Sequence, residues 1–360
     1  MLLKDFREAL LDRLLMFLWR QWSALGILGA SATEEEWIID PEPLLVFSLE
    51  LARYEPRLFD EILAWLVVNG ELLDTARLRR ILLKQDVSVV RVLGGALQWT
   101  ADRKIIYERK WRKILDRCQV ICEESPSDDV AEVLFKDRSG KFHPSAHGDS
   151  RDPSFALFHM NRPKINVQKE AREVPINACA NLRFPVRALF GAGAKAEAIL
   201  YLLTHEGGRP REIADSVGLF WLSVQQALFD LSRSGLVLTR TKGKKIEYWL
   251  SQKKWWEFLA STSPEDRALP KFLDWIAIFA AFSSLWKTAD EIAAGTESDY
   301  MKNSKLQDSM EIVAREFSRS GYDPAYAPPS GLPPEMQRKM TLRYFDIIFD
   351  LRPELVSTLR

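Results

Sequence analysis

The sequence predicts a mainly α protein: a helical amino-terminal region, one small β-hairpin near residue 240, and a helical carboxy-terminal region. Three observations carry this. Apolar residues recur at helical spacing through 3–121 and again beyond 271, whereas the clearest β-rich runs with turn residues between them lie at 236–250. Prolines and small polar residues gather between 123 and 182, where no period survives. With 360 residues, 47% of them hydrophobic, the chain has enough apolar material for roughly two or three packed domains.

The first helix is read from the stripe Leu3, Phe6, Leu10, Leu14 and Phe17. Further helices are predicted over Pro43 to Arg53, Pro56 to Val68, Asp74 to Lys84, Val87 to Trp99 and Arg103 to Ile121, with Asn69-Gly70 as a helix stop. The run Phe59 to Leu83, two helices about an Asn-Gly turn, reads either as a degenerate helix-turn-helix or as an ordinary helical hairpin. The helix from Arg103 to Arg117 holds seven basic residues against three acidic ones, counting Asp102. Ile105, Ile106, Trp111, Ile114 and Leu115 would anchor it, and its charges form either a surface flanking nucleic acid or a solvated face.

Residues 123–182 read as a tether between separately folded parts, with a small hairpin at Glu132 to Phe142 around Arg138-Ser139-Gly140. Cys118 and Cys122 followed by His143 and His147 match a zinc ligand set in type. Their spacing does not match, because the cysteines are one helical turn apart and Pro144 prevents a helix from aligning the histidines, so no metal site is expected. Three cysteines without framework spacing point to a reducing compartment.

The most ordered signal lies between Arg183 and Ser251. A helix is predicted from Ala188 to Thr204, with Leu189, Ala192, Ala196, Ile199, Leu200 and Leu203 facing inward, ending at Gly207-Gly208. A short helix follows from Pro210 to Val217, burying Ile213, Ala214 and Val217 and stopping at Gly218. After the turn Leu219-Phe220, a third helix from Trp221 to Ser234 places Val224, Leu228 and Leu231 inward and Ser223, Gln225, Gln226, Asp230 and Arg233 outward. Gly235 closes it, and Leu236 to Leu250 forms two β runs about a basic tip at Gly243. This order is that of a winged helix-turn-helix.

The segment Gln225-Gln226-Ala227-Leu228-Phe229-Asp230-Leu231-Ser232-Arg233-Ser234-Gly235-Leu236-Val237 resembles the winged-helix domain of ArsR-type and MarR-type bacterial transcription regulators. The resemblance covers 183–251 only. It implies a recognition helix in the major groove of double-stranded DNA and a role in transcription regulation. Gln225 and Gln226 stand where the family usually carries a Ser-Arg pair; glutamine can pair with adenine, but the charge-assisted contact of the arginine is missing. The Cys-rich stretch of metal-sensing members is absent, so metal sensing is not implied.

Charge favours nucleic acid as partner: 183–254 holds twelve basic and six acidic residues on a chain of formal net charge zero. The expected DNA contacts are Ser223, Gln225, Gln226 and Arg233 in the major groove, and Arg240, Lys242, Lys244 and Lys245 on the backbone or minor groove. The alternative is a protein-interaction module, antitoxin-like or scaffolding, that uses the winged helix to dock a protein partner. Gly191-Ala192-Gly193-Ala194-Lys195 lacks the Gly-Lys-Ser/Thr ending and preceding strand of a phosphate loop. With four histidines, no Gly-x-Ser-x-Gly element and no carboxylate cluster, no enzyme, catalytic residue or cofactor is expected.

Lys253 to Leu259 makes a short aromatic helix, and a helical region from Lys271 contains Phe272, Trp275, Ile276, Phe279, Phe282 and Trp286. Leu306 to Arg319 and Met336 to Leu351 add two amphipathic helices about the loop Asp323 to Pro334. These serve dimerisation or effector binding, or close the protein's own core. A homodimer is expected because one winged helix reads a single half-site. The apolar run Trp275–Trp286 is short of the ~20 residues a bilayer span needs, and Asp12, Arg13 and Arg20 interrupt the apolar start, so neither membrane insertion nor a signal peptide is expected. The expected organisation is a cytoplasmic chain with a helical domain over 1–122, a linker over 123–182, a winged helix-turn-helix DNA-binding domain over 183–262 and a helical domain over 263–360.

Overall fold

The computed structural model describes residues 2–28, 36–124, 131–145, 147–165, 171–242, 245–260, 268–319 and 332–349. Helix dominates, and the strands of more than one residue make only two small ladders among these residues. The amino-terminal stripe becomes α1 (Leu3–Ala24), followed by α2 (Pro41–Leu51), α3 (Pro56–Asn69), α4 (Thr75–Leu82), α5 (Val87–Ala101) and α6 (Ile106–Glu124). Pro41 and Pro56 open their helices, where the missing N–H costs nothing, and the Asp74 carboxylate caps α4 by accepting from the N–H groups of Ala76 and Arg77. Gly70 does follow the end of α3, but with a right-handed φ of −58°. Its small size matters more, since a Cβ there would lie 3.2 Å from the rings of Tyr107 and Trp111. In α6 the anchors are Tyr107, Trp111, Ile114 and Cys118, while Ile105 and Ile106, expected among them, are exposed.

The described residues of 131–165 and 171–182, expected as a tether, pack on the helices. β1 (Glu132–Val133) pairs in parallel with β2 (Met160–Asn161), and between them α7 (Pro153–Ala156) packs on α5. A Cβ on Gly94 or Gly95 would come within 2.4 Å of the Phe158 or Phe155 ring, so these two glycines make the seat for α7. Arg53 fixes the strand, donating to the Leu134 carbonyl at 2.8 Å and to Glu132 at 2.7 Å. The expected hairpin shrinks to a Lys136 to Phe142 bridge about an Asp137 turn. Its buried side chains, Leu134, Phe155, Phe158 and Met160, lie on a four-residue helix, two-residue strands and the turns beside them, elements too short to show a period in the sequence.

The next elements are α8 (Arg183–Phe190), α9 (Ala194–Thr204), α10 (Pro210–Val217), α11 (Trp221–Arg233), β3 (Leu238–Lys242), β4 (Lys245–Trp249) and α12 (Gln252–Leu259). The single helix expected from Ala188 to Thr204 is therefore broken. Gly191 and Gly193 have φ of +79° and +155°, a region open to glycine, so the chain turns between α8 and α9 and Leu189 is exposed rather than buried. α13 (Trp275–Ala294), α14 (Asp299–Arg319) and α15 (Pro334–Ile348) complete the chain by folding back on the first helices. Phe17 of α1 stacks on Phe349 at 4.2 Å between centroids, and Phe47 of α2 stacks on Phe279 of α13 at 4.9 Å. The two ends of the chain thus share one core, with α8–α12 building a second around Ile199, Leu203, Ile213, Val224 and Leu228.

Between the cores lies a layer of buried charge. Asp40 and Glu42 at the start of α2, Arg77 of α4, Arg183 and Arg187 of α8, and Glu197 of α9 are each at most 4% exposed. Three guanidiniums meet three carboxylates. Arg77 bonds Asp40 at 2.6 Å and also Glu42; Arg187 joins Glu42 and Glu197 at 2.7 Å each; Arg183 pairs with Glu197 and reaches Asp40 at 3.2 Å. Burial pushes the Glu42 carboxyl up, but Arg187 and Arg77 together hold it down at about 2. Glu197 is likewise raised by burial and brought down to about 2 by Arg183, Arg77 and Arg187.

Removing one cation from such a layer strands a buried anion. Arg77→Met is expected to cost about 3–5 kcal/mol of stability, measured by urea denaturation; a cost under about 1 kcal/mol contradicts the layer as described. Because both folded carboxyl pKa values lie below the unfolded one, their contribution is complete above pH 4.5 and is lost as pH falls from 4.5 towards 2. The urea midpoint of the intact protein should fall across that window, and Glu42→Gln should flatten the fall.

Candidate nucleic-acid interface

The surface built by α10, α11 and the hairpin rests on a pinned turn. Gly218 ends α10 in the left-handed region, φ +68° and ψ 35°, and its N–H bonds the Ala214 carbonyl. A Cβ at this position would lie 2.2 Å from Cδ1 of Ile276, so α13 presses directly on the turn. From the other side, Arg77 Nε donates to the Val217 carbonyl at 2.7 Å, and Arg80 donates to the Leu219 carbonyl. The flanking carbonyls of the turn are thus held by α4. Trp275 donates to the Ile38 carbonyl at 3.0 Å and Arg183 to the Ile39 carbonyl at 3.2 Å, so the segment before α2 also joins the two cores.

α11 buries Val224, Ala227, Leu228 and Leu231 against α9 and α10. That leaves Ser223, Gln225, Gln226 and Arg233 exposed, as the period of the helix dictates. Gln226 donates to Asp230 at 2.9 Å, and Asp230 pairs with Lys195 at 3.1 Å, so part of this polar face is satisfied within the unit. Arg233 is the only basic residue of α11 and lies over the Phe229 ring, 5.9 Å from its centroid. Three apolar side chains share the surface: Phe220 before the helix, Leu222 and Phe229 are 55%, 49% and 51% exposed. Polar residues alone do not define the outer face of α11: the seven-residue step from Leu222 to Phe229 sets an apolar strip on it.

β3 and β4 pair antiparallel from Leu238 opposite Trp249 to Lys242 opposite Lys245. Gly208, before α10, adds a single bridging residue to this ladder, exchanging both hydrogen bonds with Tyr248 at 2.9 Å. A Cβ on the preceding Gly207 would sit 3.0 Å from the Tyr248 carbonyl oxygen, which explains the glycine pair. Arg240 pairs across the hairpin with Glu247 at 2.6 Å and remains half exposed. Lys242 and Lys245 close the ladder; their side chains, and Lys244 altogether, lie outside the described residues.

Burial alters the charge argument. Arg183 and Arg187 belong to the internal layer and cannot meet phosphate. Setting them and Glu197 aside leaves ten basic against five acidic residues over 183–254, a reduced but still positive balance. On α6, Arg109, Arg112, Lys113 and Arg117 are all exposed.

Cys118 and Cys122 lie in the core, where burial pushes the Cys118 thiol up to about 12, whereas His143 and His147 are exposed. Among the described residues no cluster of three or more metal-ligating side chains occurs, and no helix is long and apolar enough to cross a membrane. The Gly191 to Lys195 segment forms the junction of α8 and α9. No family model, curated protein or solved structure matches the chain.

The grip on the turn has a direct test. Gly218→Ala forces a Cβ into the left-handed region, worth about 1–2 kcal/mol, and against Ile276. The variant should lower the thermal midpoint by several degrees, and adding Ile276→Ala should restore part of the loss; no recovery would mean that backbone strain alone is responsible.

Proposed function

We propose that α8–α12 form a winged helix-turn-helix that binds double-stranded DNA, with α11 as the helix presented to the major groove and the β3–β4 hairpin as the wing. The observation that carries this is the arrangement of parts: two helices about a left-handed glycine turn, a following hairpin, and a bridging residue at Gly208 that adds a third edge to the hairpin. An exposed helix with Ser223, Gln225, Gln226 and Arg233, beside a hairpin whose last pair is Lys242 and Lys245 with Lys244 between them in the sequence, fits backbone attraction through the wing with limited base reading through amide side chains. One unit covers one half-site, so binding by two copies of the chain belongs to the same reading, as does a role in regulating transcription.

A second reading is favoured by the apolar strip of Phe220, Leu222 and Phe229, which a protein partner would cover more readily than a phosphate backbone. The two are separated by titrating a fluorescent random duplex with the full chain at several salt concentrations. DNA binding predicts a steep fall of affinity with salt, and replacing Lys242, Lys244 and Lys245 together by alanine should reduce the log–log slope by up to about 0.9 for each lost phosphate contact. Absence of duplex binding at low salt contradicts the proposal, and an unchanged slope contradicts the role of the wing.

A further inference from the structure

We infer, building on the DNA-binding reading, that α11 selects A·T-rich duplex by seating Leu222 and Phe229 against the C5-methyl groups of thymine in the major groove. In α11, Leu222, Gln226, Phe229 and Arg233 recur at helical spacing and form the crest opposite the buried Val224, Ala227, Leu228 and Leu231. Leu222 and Phe229, the apolar members of that crest, are 49% and 51% exposed, while Ser223 and Gln225 lie on its flanks.

A helix lying in the groove turns its crest to the base edges and its flanks to the walls. Leucine and phenylalanine neither donate to those edges nor accept from them. Against G·C pairs they would cover amino and carbonyl groups without replacing their hydrogen bonds to water, whereas every A·T pair presents a methyl, the apolar group of the groove floor. The step from Leu222 to Phe229 is about 10 Å along the axis, roughly three base-pair steps, so the two side chains address separate pairs. Gln225 has no hydrogen-bond partner among the described residues, and its amide matches N6 and N7 of adenine, the other half of the same pair. Methyl and amide contacts therefore select the same composition.

The charges around the strip favour a polyanion as its cover. Arg233 ends the crest, and the exposed Arg211 stands at its start, 5.2 Å from the Trp221 ring centroid. Asp230, the one acidic residue of α11, is paired with Lys195 at 3.1 Å and adds little repulsion. Phosphates alone would leave Leu222 and Phe229 wet; a row of thymine methyls between two phosphate walls covers the strip and meets the arginines at once.

The test uses the full chain at low salt with fluorescent duplex pools of equal length: random A·T sequence, the same pool with uracil in place of thymine, and random G·C sequence. Uracil removes the methyl and leaves every hydrogen-bonding group in place. The thymine pool should bind at least about fourfold more tightly than the uracil pool, the ratio expected for one methyl buried against an apolar side chain, and more tightly than the G·C pool. Leu222→Ala combined with Phe229→Ala, both at exposed positions, should bind the thymine and uracil pools equally. Equal affinity of the intact chain for those two pools, or tighter binding of the G·C pool, overturns the methyl contact and leaves the DNA reading standing. A thymine preference that survives in the double variant comes from duplex shape and overturns it as well. If no pool binds, the DNA reading fails and the contact with it. If sedimentation of the free chain shows a dimer that the double variant dissolves, the strip is an interface between copies, which also overturns the contact.

Discussion

The layer formed by Asp40, Glu42, Arg77, Arg183, Arg187 and Glu197 is the constraint on which the arrangement of the molecule depends. Isolated charges at this depth would each cost several kcal/mol in lost hydration, so the layer is tolerable only when every guanidinium faces its carboxylates at hydrogen-bond distance. An apolar interface can slide by a fraction of a side chain and lose little. This one cannot, because a shift of an ångström or two would part the ions without giving them water. Its members come from α2, α4, α8 and α9, and Arg77 itself reaches on to the Val217 carbonyl. The same arginine that neutralises the interior therefore sets the height of the turn before α11.

Around this layer the fold is a consequence of economy in apolar surface. α13–α15 have no separate core; Phe279, Phe282 and Phe345 complete the one begun by α1 and α2. The segment 131–165 contributes Phe155 and Phe158 to the same core across the glycine pair of α5. The presented surface of α8–α12 is thus backed by a body that contacts it through ions, main-chain carbonyls and the Ile276 contact. These contacts fix the turn before α11 from two sides.

Much of this was legible in the sequence. The helices of the first and last thirds show the 3.6 period, and Gly218, Gly235 and the basic β-rich run gave the order α10, α11, hairpin. What escaped has physical causes. Arg183 and Arg187 look like surface cations in a local charge count, because only the fold reveals that Asp40 and Glu42, each more than a hundred residues away, face Arg183 and Arg187 respectively. Phe155 and Phe158 show no period because α7 is four residues long and Phe158 lies in the turn after it. The break at Gly191 and Gly193 was hidden by alanines that suit a helix equally well. On α11, the inward face was readable from Val224, Leu228 and Leu231, but exposure of Leu222 and Phe229 depends on what covers the opposite face, which spacing alone does not show.

The central claim is that the ionic layer makes the α8–α12 unit and the helical body one cooperative structure. Native-state hydrogen exchange across a denaturant series measures this directly. One cooperative structure requires the slowest amides of α9 and α11 to open with the same free energy and denaturant slope as those of α3 and α5. If α9 and α11 exchange through a separate opening of lower free energy and smaller slope, the layer does not couple the two cores and the claim is wrong.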